Sequence, residues 1–460
     1  MAESLVGDPA DGPQQPLGSS ARRWKLSQPS ADGLRSREAC RLIGLCLLCA
    51  SLTAGHGYAT PIAVGTLIAS VGILACTARM RQAPAPRWLW PVAAAFLAAL
   101  NLRYVPSPAA VLVVVALAIS TGLYALASRP ATKVVAGAGA LAAVTAILRW
   151  HWHWGRATGD VYHLLQGGGR LLVYGHDPYS VLIRSTTPGV RWFHFTYGPA
   201  TAALAAPAAW LGDARASLLV MFLILFATTA MIARRTGQPA QRRAGIVALM
   251  LSLPLTVAMI VTGWTEAFPL ATCALWLLLR ERHRCLGRVA LGIALAAKLT
   301  IVPPLIVIGF WSSALRRDLL WASVGAGAVY GAFALWTGPS ALAHDLIGVF
   351  FSASGSPDSL SANGIFQLEL DRSLPGIIGV VAIGGALVWT LRRRPRDGAD
   401  LFDAAALFSL VAFFFAKWAY FNYYTIPAVM LLLAFACERA ETEAPPVPWL
   451  SLEPLFPYRM

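Results

Sequence analysis

From residue 42 to residue 437 the chain is a succession of apolar runs, rich in Ala, Leu, Val and Gly, broken by short polar stretches. A run of about 20 apolar residues is long enough to cross a hydrocarbon core about 30 Å thick. The pattern therefore predicts an all-α, polytopic integral membrane helical bundle of about 12–14 spans. Hairpins are expected at 42–78 and 88–127, an outgoing span at 132–149 and a returning span near 215–233. The apolar piece 199–211 is short and holds Pro199 and Pro207, so a re-entrant helix fits it better than a full crossing.

Basic residues between the apolar runs set an orientation. They cluster at Arg22 to Arg41, Arg79 to Arg87, Arg129 to Lys133, Arg234 to Arg243, Arg280 to Arg288, Arg316 with Arg317, and Arg392 to Arg396, which together hold 25 of the 37 Lys and Arg residues. Such clusters mark the cytoplasmic side of a membrane protein. If all seven lie there, each interval between them crosses an even number of times. Both termini are then cytoplasmic, and residues 150–198 form a large first outer loop carrying short helices, far longer than the usual connection of about 4–6 residues. The same parity puts TGWTE at 262–266, the loop 338–373 and KWAYFN at 417–422 on the outer face of the cell membrane.

Composition agrees with this picture and removes one alternative. Hydrophobic residues make up 57% of the 460-residue chain and charged residues 13%, against about 25% charged in soluble domains; mean hydropathy is +0.60. The net charge of +15 is explained by orientation, so no nucleic-acid partner is implied. None of the seven cysteines falls in an outer segment, so no disulfide framework is expected. The organisation read from the chain is a disordered cytoplasmic tail at 1–40, four N-terminal transmembrane helices at 41–131, a main transmembrane region at 132–438, and a cytoplasmic tail at 439–460.

The outer segments hold the residues that carry chemistry. Asp160 lies just beyond an outgoing span, in GDVYHLLQGGGRLLVYGHDPY at 159–179. A carboxylate there serves either as a general base on an incoming hydroxyl or as a helix N-cap, and spacing alone leaves the two level. Asp177 in GHDPY reads as a turn former, because Asp before Pro favours turns. His151 and His153 alternate with Trp150, Trp152 and Trp154. This is the pattern of an interfacial aromatic belt rather than a metal site, and no metal or other cofactor is expected. FHFTYG at 193–198, with His194 and Tyr197, leads into the re-entrant helix.

Only four Lys stand against 33 Arg, and two of them, Lys298 and Lys417, sit in or beside apolar segments. An ionisable group at membrane depth is a functional candidate, and Lys298 is a compact point charge for a phosphate; the bland alternative is a snorkelling side chain. Between Arg288 and Arg316 the chain is too short for two full crossings. A short hairpin breaking at Thr300 to Pro304, with Lys298 near its tip, is predicted. In the loop 338–373, His344, Asp345, Asn363, Glu369, Asp371 and Arg372 are candidates for acceptor binding or proton transfer, His344 foremost because imidazole titrates near neutrality.

GDVYHLLQGGGRLLVYGHDPY, then FTYGPATAALAAPAAWL, then GRVALGIALAAKLTIVPPLIV, resemble the C-type, multi-span glycosyltransferases that use polyprenyl-phosphate sugars, and most of all glycosyltransferase family 87, the polyprenol-phosphate-mannose-dependent α-mannosyltransferases of actinobacteria. The resemblance covers about residues 140–435, with Gly198 where the family usually has Pro. It implies that Asp160 is catalytic, with His344 as a second candidate base, and that Lys298 and Arg372 bind the donor phosphate. Tyr162, Asp177, Tyr179, His194 and Tyr197 are the candidate substrate-binding side chains of the first loop, and Glu266, Asn363, Lys417 and Trp418 those of the later segments. The implied reaction moves a hexose, mannose, from a polyprenyl-phosphate donor to a hydroxyl of a glycan or glycolipid acceptor with inversion. The competing class, a transporter or flippase of lipid-linked sugars, would show inverted repeats and ionisable groups at the bilayer midplane. No repeat is visible.

Overall fold

A computed structural model of the protein describes residues 36–438 apart from 55–58, 78–79, 81–82, 105–107, 154–159, 185–191, 349–358, 394 and 418. The chain starts with α1 (Arg37–Ala54), α2 (Pro61–Cys76), α3 (Leu89–Leu100), α4 (Pro108–Leu126) and α5 (Pro130–His153). There follow α6 (Asp160–Val173), a two-stranded antiparallel ribbon of β1 (Ile183–Arg184) and β2 (Trp192–Phe193), α7 (Pro199–Trp210) and α8 (Arg215–Arg235). Then come α9 (Ala240–Ser252), α10 (Pro254–Thr262), α11 (Ala267–Leu279), α12 (Arg284–Ala297), α13 (Val302–Trp311) and α14 (Ser313–Thr337). The last helices are α15 (Pro339–Ala343), α16 (Ala362–Leu370), α17 (Gly376–Arg392), α18 (Gly398–Phe414) and α19 (Thr425–Cys437). The all-α membrane bundle read from the apolar pattern is the observed architecture.

Among the described residues, α5 over Pro130–Arg149, α8 and α14 are long and apolar enough to cross a membrane unaided, and two bent pairs pass the same test. The first pair, α9 with α10, bends by 40° where Pro254 lacks an N–H and turns Leu253 away from helical ψ, to 118°. The second, α12 with the turn and helix that follow, bends by 117° because Lys298 is extended at φ −157° and ψ 128°. The predicted hairpin break is therefore present, beginning two residues earlier than Thr300. The predicted re-entrant piece is α7, a 12-residue helix with Pro207 inside it.

Burial follows helix character. A helix apolar on every side is stable only inside a bundle, and all 13 residues of α19 are buried. By contrast α14 turns an apolar face outward, with Leu320 62%, Val324 65% and Leu335 92% exposed, as a lipid-facing span would.

Charges gather at one end of the bundle. Arg41 holds Asp403 through two bonds of 2.8 and 2.7 Å and Glu438 at 2.6 Å. Arg37 pairs with Asp400, and Glu38 forms an ion pair with Arg242 at 2.9 Å and accepts from the Ala85 amide at 2.5 Å. Arg235 donates to the carbonyl of Leu278, two residues before Arg280, and Arg280 reaches Asp318 beside Arg317. The Arg396 amide donates to Asp400 Oδ2 at 3.0 Å, so six of the seven basic clusters are linked at one level. The helices α11 and α12 run from this level to the opposite one; α11 has 13 residues, which is about 20 Å of helix.

Candidate functional site

The far ends of these helices carry the polar segments that parity grouped together. Asp160 opens α6, partly buried, and its Oδ1 accepts from the Val161 amide at 2.8 Å. The helix is positioned by Gly263, which ends α10 in the left-handed region at φ 80°. A Cβ on Gly263 would lie 2.7 Å from the Tyr162 Cα, so the first turn of α6 rests directly on the backbone before Trp264 and Glu266. The Tyr162 ring lies under the Arg215 guanidinium at 5.0 Å.

Tyr197 and Gly198 enter from another side. The Gly198 amide donates to the Ala297 carbonyl at 3.0 Å, and Thr201 Oγ1 donates to the same oxygen at 2.8 Å. This ties the start of α7 to the last turn of α12. A Pro at 198 would lack that N–H, which accounts for glycine at this position. A Cβ there would overlap the Ala296 carbonyl oxygen and sit 2.8 Å from that of Ala297. Gly198→Ala is accordingly expected to cost about 1–3 kcal/mol through forced backbone displacement, read as a lower melting temperature of the purified protein.

The centre of the site is the Lys298 ammonium. It pairs with Glu266, which is fully buried, while Lys298 itself is 7% exposed. Asn422 Nδ2 donates to the same Glu266 oxygen at 2.8 Å. The ammonium also faces the rings of Tyr197 and Tyr423, each 5.0 Å away, a favourable cation–π arrangement. Lys298 is thus neither a snorkelling side chain nor an isolated charge: its carboxylate partner lies 32 positions back in the chain. Glu266 Oε2 and Asn422 Oδ1 are buried acceptors with no hydrogen-bond partner among the described residues. Burial raises the Tyr197 phenol well above its ordinary value, and the Asp160 carboxylate, the next largest influence, raises it further. Tyr197 thus lies within electrostatic range of the Asp160 carboxylate while its ring faces the Lys298 ammonium. A base and a cation are therefore held at the same end of the bundle.

A second polar cluster lies on the loops. Asp177 Oδ1 accepts from the Tyr179 amide at 3.0 Å and its carbonyl from Ser180 Oγ at 3.0 Å, the geometry of an Asx turn. The Tyr179 hydroxyl then donates to the Tyr197 carbonyl at 2.6 Å, so the GHDPY turn braces the residue that faces Lys298. His194 Nδ1 lies 3.6 Å from Asp345 Oδ2. Burial raises the Asp345 carboxyl above its usual range, His194 and His344 oppose this, and Asp177 adds to it. His344 is exposed at the start of a π-helical turn, His344–Gly348, and belongs to this second cluster through its influence on Asp345.

Other expected site residues lie toward the rim. Asn363 is buried, its Nδ2 donating to the Lys417 carbonyl at 3.0 Å and its Oδ1 accepting from the Leu374 amide at 2.8 Å. Both polar atoms join loops, which is a bracing role. Lys417 and Arg372 are exposed, and Trp418 lies outside the described residues, as do Trp154 and the side chains of His151 and His153. Asn422, Tyr423 and Trp264 are site residues that the chain did not single out. Trp264 packs edge-on against Phe421 at 4.0 Å; Trp264 and Asn422 are marked only by their position inside the outer segments TGWTE and KWAYFN, and Tyr423 directly follows the latter. Among the described residues no group of three or more His, Cys, Asp or Glu is placed to hold a metal ion.

No curated protein and no solved structure matches the chain. The family model described as glycosyltransferase family 87 matches residues 195–417. The match begins downstream of Asp160 and Asp177 and takes in Tyr197, Glu266, Lys298, His344 and Asn363. Across residues 195–417, a little under half of the chain, the sequence is similar to glycosyltransferase family 87.

Proposed function

We propose that this membrane glycosyltransferase moves a hexose, mannose, from a polyprenyl-phosphate donor to a glycan or glycolipid hydroxyl on the extracytoplasmic face, with inversion. The observation that carries the reading is the convergence of Asp160, Tyr197, Glu266, Lys298 and Asn422 at one end of a family 87 bundle, with the arginines held at the other. A polyprenyl-phosphate sugar carries its own leaving group. The enzyme then has two tasks, removing a proton from the acceptor hydroxyl and stabilising the departing phosphate. In this reading Asp160 takes the proton as the acceptor oxygen bonds to the anomeric carbon and the bond to phosphate breaks. An ammonium has three N–H donors. Lys298 gives one to Glu266, and the remaining donors, with Arg372 at the rim, serve the phosphate. The buried free acceptors on Glu266 and Asn422 suit sugar hydroxyls, since an unpaired buried acceptor costs about 1–3 kcal/mol until a donor reaches it.

Transfer is tested with the purified chain in liposomes, radiolabelled polyprenyl-phosphate mannose and a mannose-terminated oligosaccharide acceptor. A radiolabelled glycan with inverted anomeric configuration is the expected product. Passage of the lipid-linked sugar across the bilayer without release of polyprenyl phosphate would instead identify a flippase. Sidedness is tested separately. In a cysteine-free background, Arg284→Cys and Arg316→Cys should both react with an impermeant maleimide from the cytoplasm alone, and labelling of either from outside would overturn the orientation.

A further inference from the structure

At the arginine end, one carboxylate faces three guanidinium groups. Asp318 is fully buried and accepts from Arg280 Nε at 3.3 Å, Arg284 Nε at 3.3 Å and Arg288 Nε at 3.0 Å. Each arginine turns its Nε to the carboxylate, so the Nη groups are left for another partner. Arg280 is 8% exposed, and its Nη1 is buried with no hydrogen-bond partner among the described residues. The side chains of Arg284 and Arg288 are 46% and 22% exposed, so the cluster opens outward from Arg280. Charge is not balanced nearby. Segments 280–288 and 312–321 hold six arginines against two carboxylates, Glu281 and Asp318.

The surroundings say what kind of anion fits. Val289, the residue after Arg288 on α12, is 59% exposed. Leu320 and Trp321, on the turn of α14 after Asp318, are 62% and 58% exposed, and the Arg288 guanidinium lies 5.9 Å from the Trp321 ring centroid. Outward cations stand next to outward apolar side chains on two neighbouring helices, at the end of the bundle where spans meet a membrane surface. A free phosphate would use only the first feature. A lipid with an anionic headgroup uses both, its phosphate oxygens on the Nη donors and its chains on the apolar faces.

We propose that Arg280, Arg284 and Arg288 form a binding site for one anionic glycerophospholipid, whose chains lie along α12 and α14. The site is separate from the transfer chemistry, and its test does not use that reaction. Native mass spectrometry of the full chain in detergent is titrated with dioleoylphosphatidylglycerol and, in parallel, with dioleoylphosphatidylcholine. One phosphatidylglycerol adduct should form well before any phosphatidylcholine adduct. Arg284→Gln with Arg288→Gln should weaken it about thirtyfold, and the half-exposed Arg284→Gln alone about fivefold, with the melting temperature of the single variant unchanged. Removing the same charge elsewhere on the surface, in Arg129→Gln with Lys133→Gln, should change it little. Equal affinity for the two lipids, equal loss in the Arg129 and Lys133 control, or displacement of the lipid by excess inorganic phosphate would each overturn the proposal, the last by revealing a plain anion site.

Discussion

Replacing Asp160 by Asn is expected to lower sugar transfer at least about a hundredfold, the scale of a lost general base, while the protein still folds. The structure explains why the two effects separate. The Asp160 Oδ1 accepts from the Val161 amide, and an Asn oxygen can keep that bond. Only the favourable charge at the N-terminus of α6 is lost, which is worth about 0.3–1 kcal/mol. What Asn cannot do is accept a proton from an acceptor hydroxyl beside Tyr197. Initial rates at saturating donor, together with a melting curve, check this. Normal turnover in a well-folded Asn variant would remove Asp160 from the mechanism.

The second large effect is expected at Lys298. Lys298→Met leaves Glu266 as a fully buried carboxylate with Asn422 as its remaining polar partner. Breaking a buried pair in this way costs about 3–5 kcal/mol, so the single variant should be markedly destabilised. Adding Glu266→Gln to the same chain removes the stranded charge and should restore most of that stability. Activity should not return with it. If Lys298 contacts the donor phosphate, the stable double variant will show a raised donor KM with little change in acceptor KM. Full recovery of transfer in the double variant would make the pair purely architectural.

These two residues were legible in the chain to different degrees. Asp160 is marked by its place after a long apolar run, which local pattern reveals. Lys298 is marked by its rarity in an arginine-rich chain, but its partner is not. Glu266 sits in another loop, and nothing in TGWTE says that its carboxylate meets a lysine 32 residues later. The break after α12 was readable because Pro303 and Pro304 restrict the backbone wherever the fold carries them. The basic clusters were readable as a group because charge at a membrane surface is a property of the segment rather than of its contacts. Asn422 and Tyr423 were not singled out. A polar side chain near an aromatic is ordinary in any loop, and only the long-range packing of α19 beside α11 gives these two a role. Asp345 is a loop candidate in the sequence, but its surroundings were not legible there: its carboxyl is perturbed by Asp177 and two histidines brought together from three segments.

The length of α11 has a consequence for the enzyme's surroundings. Its 13 residues separate the Asp318 cluster from the Glu266–Lys298 pair by about 20 Å, whereas a typical hydrocarbon core measures about 30 Å. With the arginines anchored at one interface, this pair lies roughly 10 Å short of the other. On the proposed function, the sugar headgroup of a polyprenyl-linked donor would have to descend to it, or the bilayer would have to thin around the bundle. Acyl-chain length in the host membrane would then be a variable of the proposed reaction, with short-chain lipids bringing headgroup and lysine to the same depth.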